Sequence, residues 1–94
     1  MGPTFEWDLA KEAENLLKHG VTFGEAQLAF ADANLTIAKD LIHSDFEQRY
    51  FCFGRVARGI LTVRFAYRGR IVRIIGAGYW RRGRKIYEAR QIHQ

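Results

Sequence analysis

The chain has 94 residues, 48% of them hydrophobic, with a single proline and 15 Lys+Arg against 10 Asp+Glu, for a formal charge of +5. These values exclude a disordered linker and suit one hydrophobic core, expected to form a single domain over residues 1–94. No apolar run approaches the roughly 20 residues of a membrane span, Met1–Glu6 has no secretory pattern, and the lone Cys52 excludes an internal disulfide framework, so a cytoplasmic protein without membrane contact is expected.

In chain order, Asp8 is placed to cap a helix whose Leu9, Ala13, Leu16 and Leu17 form one apolar stripe. Gly20 is its expected left-handed stop, with Lys18 and His19 in the last turn, where the helix dipole favours them. Thr22-Phe23-Gly24-Glu25 reads as a capping box opening a second helix through Leu28, Ala29 and Phe30, with Val21 stapled onto Ala26. Residues 31–48 carry a weak pattern, with a short extended piece at Leu35-Thr36-Ile37. Arg49–Arg55, Ile60–Tyr67 and Arg70–Gly76 then read as three β-strands separated by turn signals at Arg58-Gly59 and Arg68-Gly69. A last helix is expected from Arg81 or Arg84 to Arg90. The fold class is α+β: two N-terminal helices, a three- to four-stranded antiparallel meander and a C-terminal helix.

Charge is distributed unevenly along this plan. Residues 1–48 hold nine acids and three lysines, a net of −6, whereas residues 49–94 hold eleven arginines, Lys85 and one acid, Glu88, a net of +11. These arginines punctuate apolar strands, which points to a basic site on a folded surface that arginine forks suit for phosphate.

Hairpin counting places some of them. A Val56–Gly59 loop sets Arg55 opposite Ile60 and Phe51 opposite Arg64; an Arg68-Gly69 turn pairs Tyr67 with Arg70 and sets Arg64 opposite Arg73. Cys52, Leu61, Val63, Phe65, Val72 and Ile74 then share a core face, and Arg49, Phe51, Phe53, Arg64, Arg73 and Ile75 share the other. Facing arginines repel, so an anion or a carboxylate, with Glu47 and Asp45 as candidates, is expected to bridge them. Guanidinium groups beside Phe51 have the makeup of an RNA site.

His43, Asp45 and Glu47 precede the first meander strand, and His43 is the candidate proton carrier. His19, His43 and His93 show no metal-ligand spacing, so no metal or other cofactor is expected. Gly76-Ala77-Gly78 followed by Gly83 does not fit a dinucleotide loop, because the third glycine falls too late and too little chain follows. Tyr79 and Trp80 read as packing residues beneath the last helix.

Three groups of residues carry a family resemblance. They are Phe5-Glu6-Trp7-Asp8 with Lys11, Asn15, Lys18-His19-Gly20-Val21, Phe23, Glu25-Ala26 and Phe30; His43-Ser44 with Glu47, Arg49-Tyr50 and Gly54; and Arg73-Ile74-Ile75 with Lys85 and Tyr87-Glu88. Together they resemble BrnT-type toxins, ribonucleases of bacterial type II toxin–antitoxin systems with a RelE-like fold. The resemblance implies metal-independent cleavage of RNA, with mRNA the expected target, and growth arrest. Arg64, Arg73 and Arg49 would stabilise the phosphate, and His43 or Glu47 would assist proton transfer. Phe51, Arg81, Arg82, Arg84 and Lys85 are candidates for RNA binding. The implied partner is a BrnA-like ribbon-helix-helix antitoxin, in a possible heterotetramer with the toxin. One departure stands out: the family's Ser-Ala-Arg at the end of the last strand is Gly76-Ala77-Gly78 here, leaving Arg81, Arg82 or Arg84 to replace that arginine. The alternative reading, a non-catalytic RNA- or protein-binding module of the same fold, rests on those two glycines.

Overall fold

A computed structural model describes residues 2–92, so the expectation made for His93 lies outside the described residues. The elements are β1 (Thr4–Glu6), α1 (Leu9–His19), α2 (Phe23–Ala26) running into a 3₁₀ turn (Gln27–Ala31), β2 (Thr36–Asp40), β3 (Arg49–Val56), β4 (Gly59–Arg68), β5 (Ile71–Gly78) and α3 (Arg81–Ile92). This is the expected α+β class, with more strands than expected. The five form one sheet in the order β1-β5-β4-β3-β2, and β1 runs parallel to β5.

Local chemistry sets the helix ends. The Asp8 carboxylate accepts from the Lys11 N–H at 3.0 Å, and Gly20, at φ 69°, donates its N–H to the Leu16 carbonyl. Thr22 accepts from the Glu25 N–H at 3.0 Å, but the reciprocal bond from the Thr22 N–H to Glu25 is not among those of the described residues. Glu12 on α1 accepts from the N–H groups of Phe23 and Gly24, at 2.8 and 3.3 Å. Glu25 is thereby free to bind Arg58 and the Tyr79 hydroxyl.

The apolar stripe of α1 does not face the core. Leu9 and Leu17 are 76% and 88% exposed, and the helix docks through polar side chains instead. Buried Asn15 donates to the carbonyls of Val21 and Ala77, both at 2.9 Å, and accepts from the Ala77 N–H at 3.1 Å. β1 pairs with β5 only along Ile71–Arg73, so its edge is open further on. The Asn15 amide satisfies both peptide groups of Ala77 there, as a neighbouring strand would.

The core occupies one face of the sheet. Val21, Phe23, Ala26 and Ala29 pack on Cys52, Leu61, Val63, Phe65, Val72, Ile74 and Ala77, which matches the predicted core face. Gly54 lets β3 approach the 3₁₀ turn, since a Cβ there would lie 2.2 Å from the Ala29 carbonyl oxygen. A smaller cluster of Phe53, Ile60 and Tyr87 holds α3 against the opposite face. The Tyr87 hydroxyl donates to Asp32 at 2.6 Å, tying α3 back to the end of the 3₁₀ turn.

One register matches expectation and one does not. Phe51 lies opposite Arg64 and Arg55 opposite Ile60, as the loop count predicts. In the next hairpin, Arg68 pairs with Ile71 and Tyr67 with Val72, so the two-residue loop is Gly69-Arg70. Gly69 has φ 61° and Arg70 has no positive φ, the signature of a type II′ turn with glycine first. A bulge then leaves Ile75 without a partner, so Arg64 faces Gly76 and Arg73 faces Ala66. The expected Arg64–Arg73 cross-strand pair does not form.

Candidate functional site

The face opposite the main core carries three cross-strand rows. The first runs Asp40, Arg49, Ala66, Arg73 and Glu6; the second, Ala38, Phe51, Arg64 and Gly76; the third, Thr36, Phe53, Thr62 and Gly78. α3 covers the third row: a Cβ at Gly83 would lie 1.9 Å from Thr62 Oγ1. The first two rows bring Arg49, Arg64 and Arg73 to one face, with Arg64 diagonal to the other two, which lie in one row on either side of Ala66.

Carboxylates accompany two of the three, and neither is Asp45 or Glu47. Arg73 forms a 2.6 Å ion pair with Glu6, its parallel-strand neighbour. Arg64 stands 3.4 Å through Nε from Asp40 Oδ2, and its guanidinium lies 5.6 Å from the centre of the Phe51 ring. Arg64 Nε is buried, yet it makes no hydrogen bond among the described residues. So Glu6 engages Arg73 closely, whereas Arg64 is held near an anion without being satisfied by it.

Asp40 organises this corner. Its side chain is 2% exposed and accepts from the N–H groups of Ile42 and His43 at 3.1 and 3.2 Å. Its Oδ2 also faces His43 Nδ1 at 3.1 Å. Burial pushes the Asp40 carboxyl up, but the Ile42 and His43 backbone donors, then the His43 ring, outweigh it and leave the group below its ordinary value. The carboxylate fixes the His43 ring through Nδ1, while Nε2 has no protein partner among the described residues. A histidine held in this way can accept or deliver a proton at Nε2.

His43, Asp45, Glu47 and Arg49 line a cleft of about 220 Å³ together with exposed Phe46. A second cleft, about 370 Å³, includes Lys11, Lys18, His19, Arg64, Gly76 and Trp80. The expected α3 residues divide. Arg82 lines a third cleft over Phe51 and Phe53; Arg81 and Arg84 line a separate one with Arg58, and Arg84 also pairs with Glu88 at 3.3 Å; Lys85 is exposed and lines none of these. Of the two residues expected to pack beneath the last helix, Tyr79 packs against the main core instead and bonds Glu25 beneath Arg58. Trp80 is 41% exposed and meets His19 edge to face.

Asp40 escapes the sequence reading because the extended piece at Leu35–Ile37 stops short of it. Its signal is the period-two set Thr36, Ala38, Asp40, which carries the carboxylate onto the arginine-bearing face three residues before His43.

The opening group of residues has structural work. Glu6 pairs Arg73, Trp7 donates to Glu12 at 3.2 Å, Asn15 seals the β5 edge and Gly20 ends α1. No curated relative matches the chain. The family described as "ribonuclease toxin, BrnT, of type II toxin-antitoxin system" matches residues 7–83, from Trp7 to the glycine at the α3–sheet contact. That span covers most of the chain, which therefore belongs to the BrnT family of ribonuclease toxins of type II toxin–antitoxin systems.

Proposed function

We propose that this toxin cleaves single-stranded RNA, with mRNA the cellular target and growth arrest the outcome, by attack of a ribose 2′-hydroxyl on the adjacent phosphate without a metal ion. The observation that carries this reading is Arg64: a half-exposed guanidinium over Phe51, beside a carboxylate–histidine pair and with its buried Nε unsatisfied. In the reaction, the 2′-oxygen bonds to phosphorus and the bond to the 5′-oxygen breaks. Arg64 stabilises the phosphoryl oxygens as charge builds on them. His43, held by Asp40, takes the 2′-hydroxyl proton at Nε2. Glu47, in the same cleft as His43, is the candidate for delivering a proton to the departing 5′-oxygen. Arg49 lines that cleft, and Arg73, already paired with Glu6, adds to the positive field. Arg81, Arg82, Arg84 and Lys85 extend that field along α3.

The partner is a BrnA-like ribbon-helix-helix antitoxin, assembling with the toxin as a cytoplasmic heterotetramer. It covers the arginine-bearing face, so antitoxin and RNA bind in exclusion of one another. A complex holding both at once would contradict this.

The test is purified protein and single-stranded RNA in EDTA. The expected products carry 2′,3′-cyclic phosphate and 5′-hydroxyl ends. Binding without cleavage would favour the second reading, a non-catalytic module, which Gly76 and Gly78 support by leaving the arginine-bearing face without the serine and arginine that the resemblance expects there.

A further inference from the structure

Trp80 stands between two clefts of different character. On one side lies a cleft that is basic on balance, with Lys11, Arg64 and Gly76 on its lining and Lys18 paired there with Glu14 at 2.8 Å. On the other, a cleft of about 430 Å³ is walled by Phe51, Phe53 and Ile86, with Arg82, Asp40 and His43 also on its lining. That volume is in the range of small-molecule sites. Trp80 lines both clefts, as well as the one with Arg58, Arg81 and Arg84, and is absent from the small cluster that holds α3, formed by Phe53, Ile60 and Tyr87. The strand beneath is shaped around it: a Cβ on residue 78 would fall 2.5 Å from the indole ring, so glycine there is what lets the ring lie across the strand end. His19 meets the indole edge to face, with centroids 5.1 Å apart. The ring is therefore braced by its neighbours and still partly open to solvent.

The two clefts suit the two halves of one nucleotide. A cationic cleft containing Arg64 fits phosphate, and the aromatic-walled cleft beside it fits a flat, unpaired base, which single-stranded RNA offers next to each phosphate. We infer that Trp80 and Phe51 wall a nucleobase pocket flanking the phosphate position at Arg64, which makes Trp80 a base-stacking residue. The inference rests on the proposed reading of Arg64 as the phosphate ligand. In this chain Gly78 and Trp80 act as a pair: the strand gives up a side chain on the arginine-bearing face, and the next turn supplies an indole over the same spot.

The test uses the full chain and uncleavable 2′-O-methyl oligoribonucleotides, with bases or fully abasic, followed by fluorescence anisotropy in EDTA. Trp80→Ala is expected to weaken binding of the base-bearing oligomer roughly tenfold and to leave the abasic one nearly unchanged, while Trp80→Phe keeps most of the affinity. Arg64→Ala is expected to weaken both oligomers alike. If Trp80→Ala weakens both equally, or neither, the base pocket is overturned while Arg64 can still stand. If Arg64→Ala changes neither, the phosphate reading falls, and the inference with it. Loss of antitoxin binding in Trp80→Ala with base-bearing RNA affinity intact would identify a protein-docking groove and overturn the inference.

Discussion

On the face that packs against α2, polar groups in the interior meet partners at close range. Asn15 makes three hydrogen bonds with Val21 and Ala77, and Glu12 takes the N–H groups that open α2. On the opposite face the side-chain bonding is incomplete. Among the described residues, the buried side-chain atoms without a hydrogen bond are Thr36 Oγ1, Thr62 Oγ1 and Arg64 Nε, and all three belong to that face's rows. An unpaired buried polar group typically costs about 1–3 kcal/mol, so their collection on one face has to be offset elsewhere. The first face is built for stability. The second, with its arginines, Asp40–His43 pair and half-open Trp80, has the composition of a surface awaiting a ligand.

The packed face should break most severely where backbones touch. Gly54→Val would drive a side chain into the Ala29 carbonyl and is expected to cost about 3 kcal/mol or more, read as a lowered urea midpoint. An unchanged midpoint would remove the close approach of β3 and the 3₁₀ turn from the explanation of this face. Asn15→Ala strips three hydrogen bonds from the β5 edge and the Val21 carbonyl, and about 2 kcal/mol of destabilisation is expected.

Asp40→Asn probes the other face through pH. The folded carboxyl lies below its ordinary value of 3.8, so ionised Asp40 stabilises the fold above that value. This contribution is lost as the pH falls through 3.8 toward the lower folded value. The difference in stability between wild type and Asp40→Asn should therefore shrink across that window in acid titrations of unfolding, and a difference independent of pH would contradict the buried ionised carboxylate. The same variant loosens the hold on His43 and should slow cleavage roughly tenfold or more. The smallest expected effect concerns Cys52. Burial, then the nearby Asp32 charge, pushes its thiol up to about 12, so alkylating reagents should modify it only after unfolding.

Signals confined to a few neighbouring residues were legible in the sequence. Asp8, Gly20 and Thr22 marked helix ends by residue type alone, and the Val56–Gly59 loop fixed the β3–β4 register, which aligned Phe51 with Arg64. The second hairpin failed on one residue. Gly69 takes the first central position of its turn, and the bulge at Ile75 then moves Arg64 onto Gly76. β1 has three residues, too few for an alternation, and its partner lies more than sixty positions away. The leucine stripe of α1 promised a core face, but the helix docks through Glu12 and Asn15, whose bonds depend on strand ends that no local pattern reveals. The same holds within the site. The arginines were visible as charge, whereas Glu6 and Asp40 became their partners only through sheet order.

Arg64→Ala offers the most direct test that RNA phosphate is held on the face opposite the main core. Cleavage of single-stranded RNA and the urea midpoint should be measured on the same preparation. The expected result is a fall in cleavage of about a hundredfold or more with the midpoint nearly unchanged, because Arg64 contributes a long, off-axis contact to Asp40 and no hydrogen bond through its buried Nε. Full cleavage by Arg64→Ala would contradict the assignment of that face to RNA.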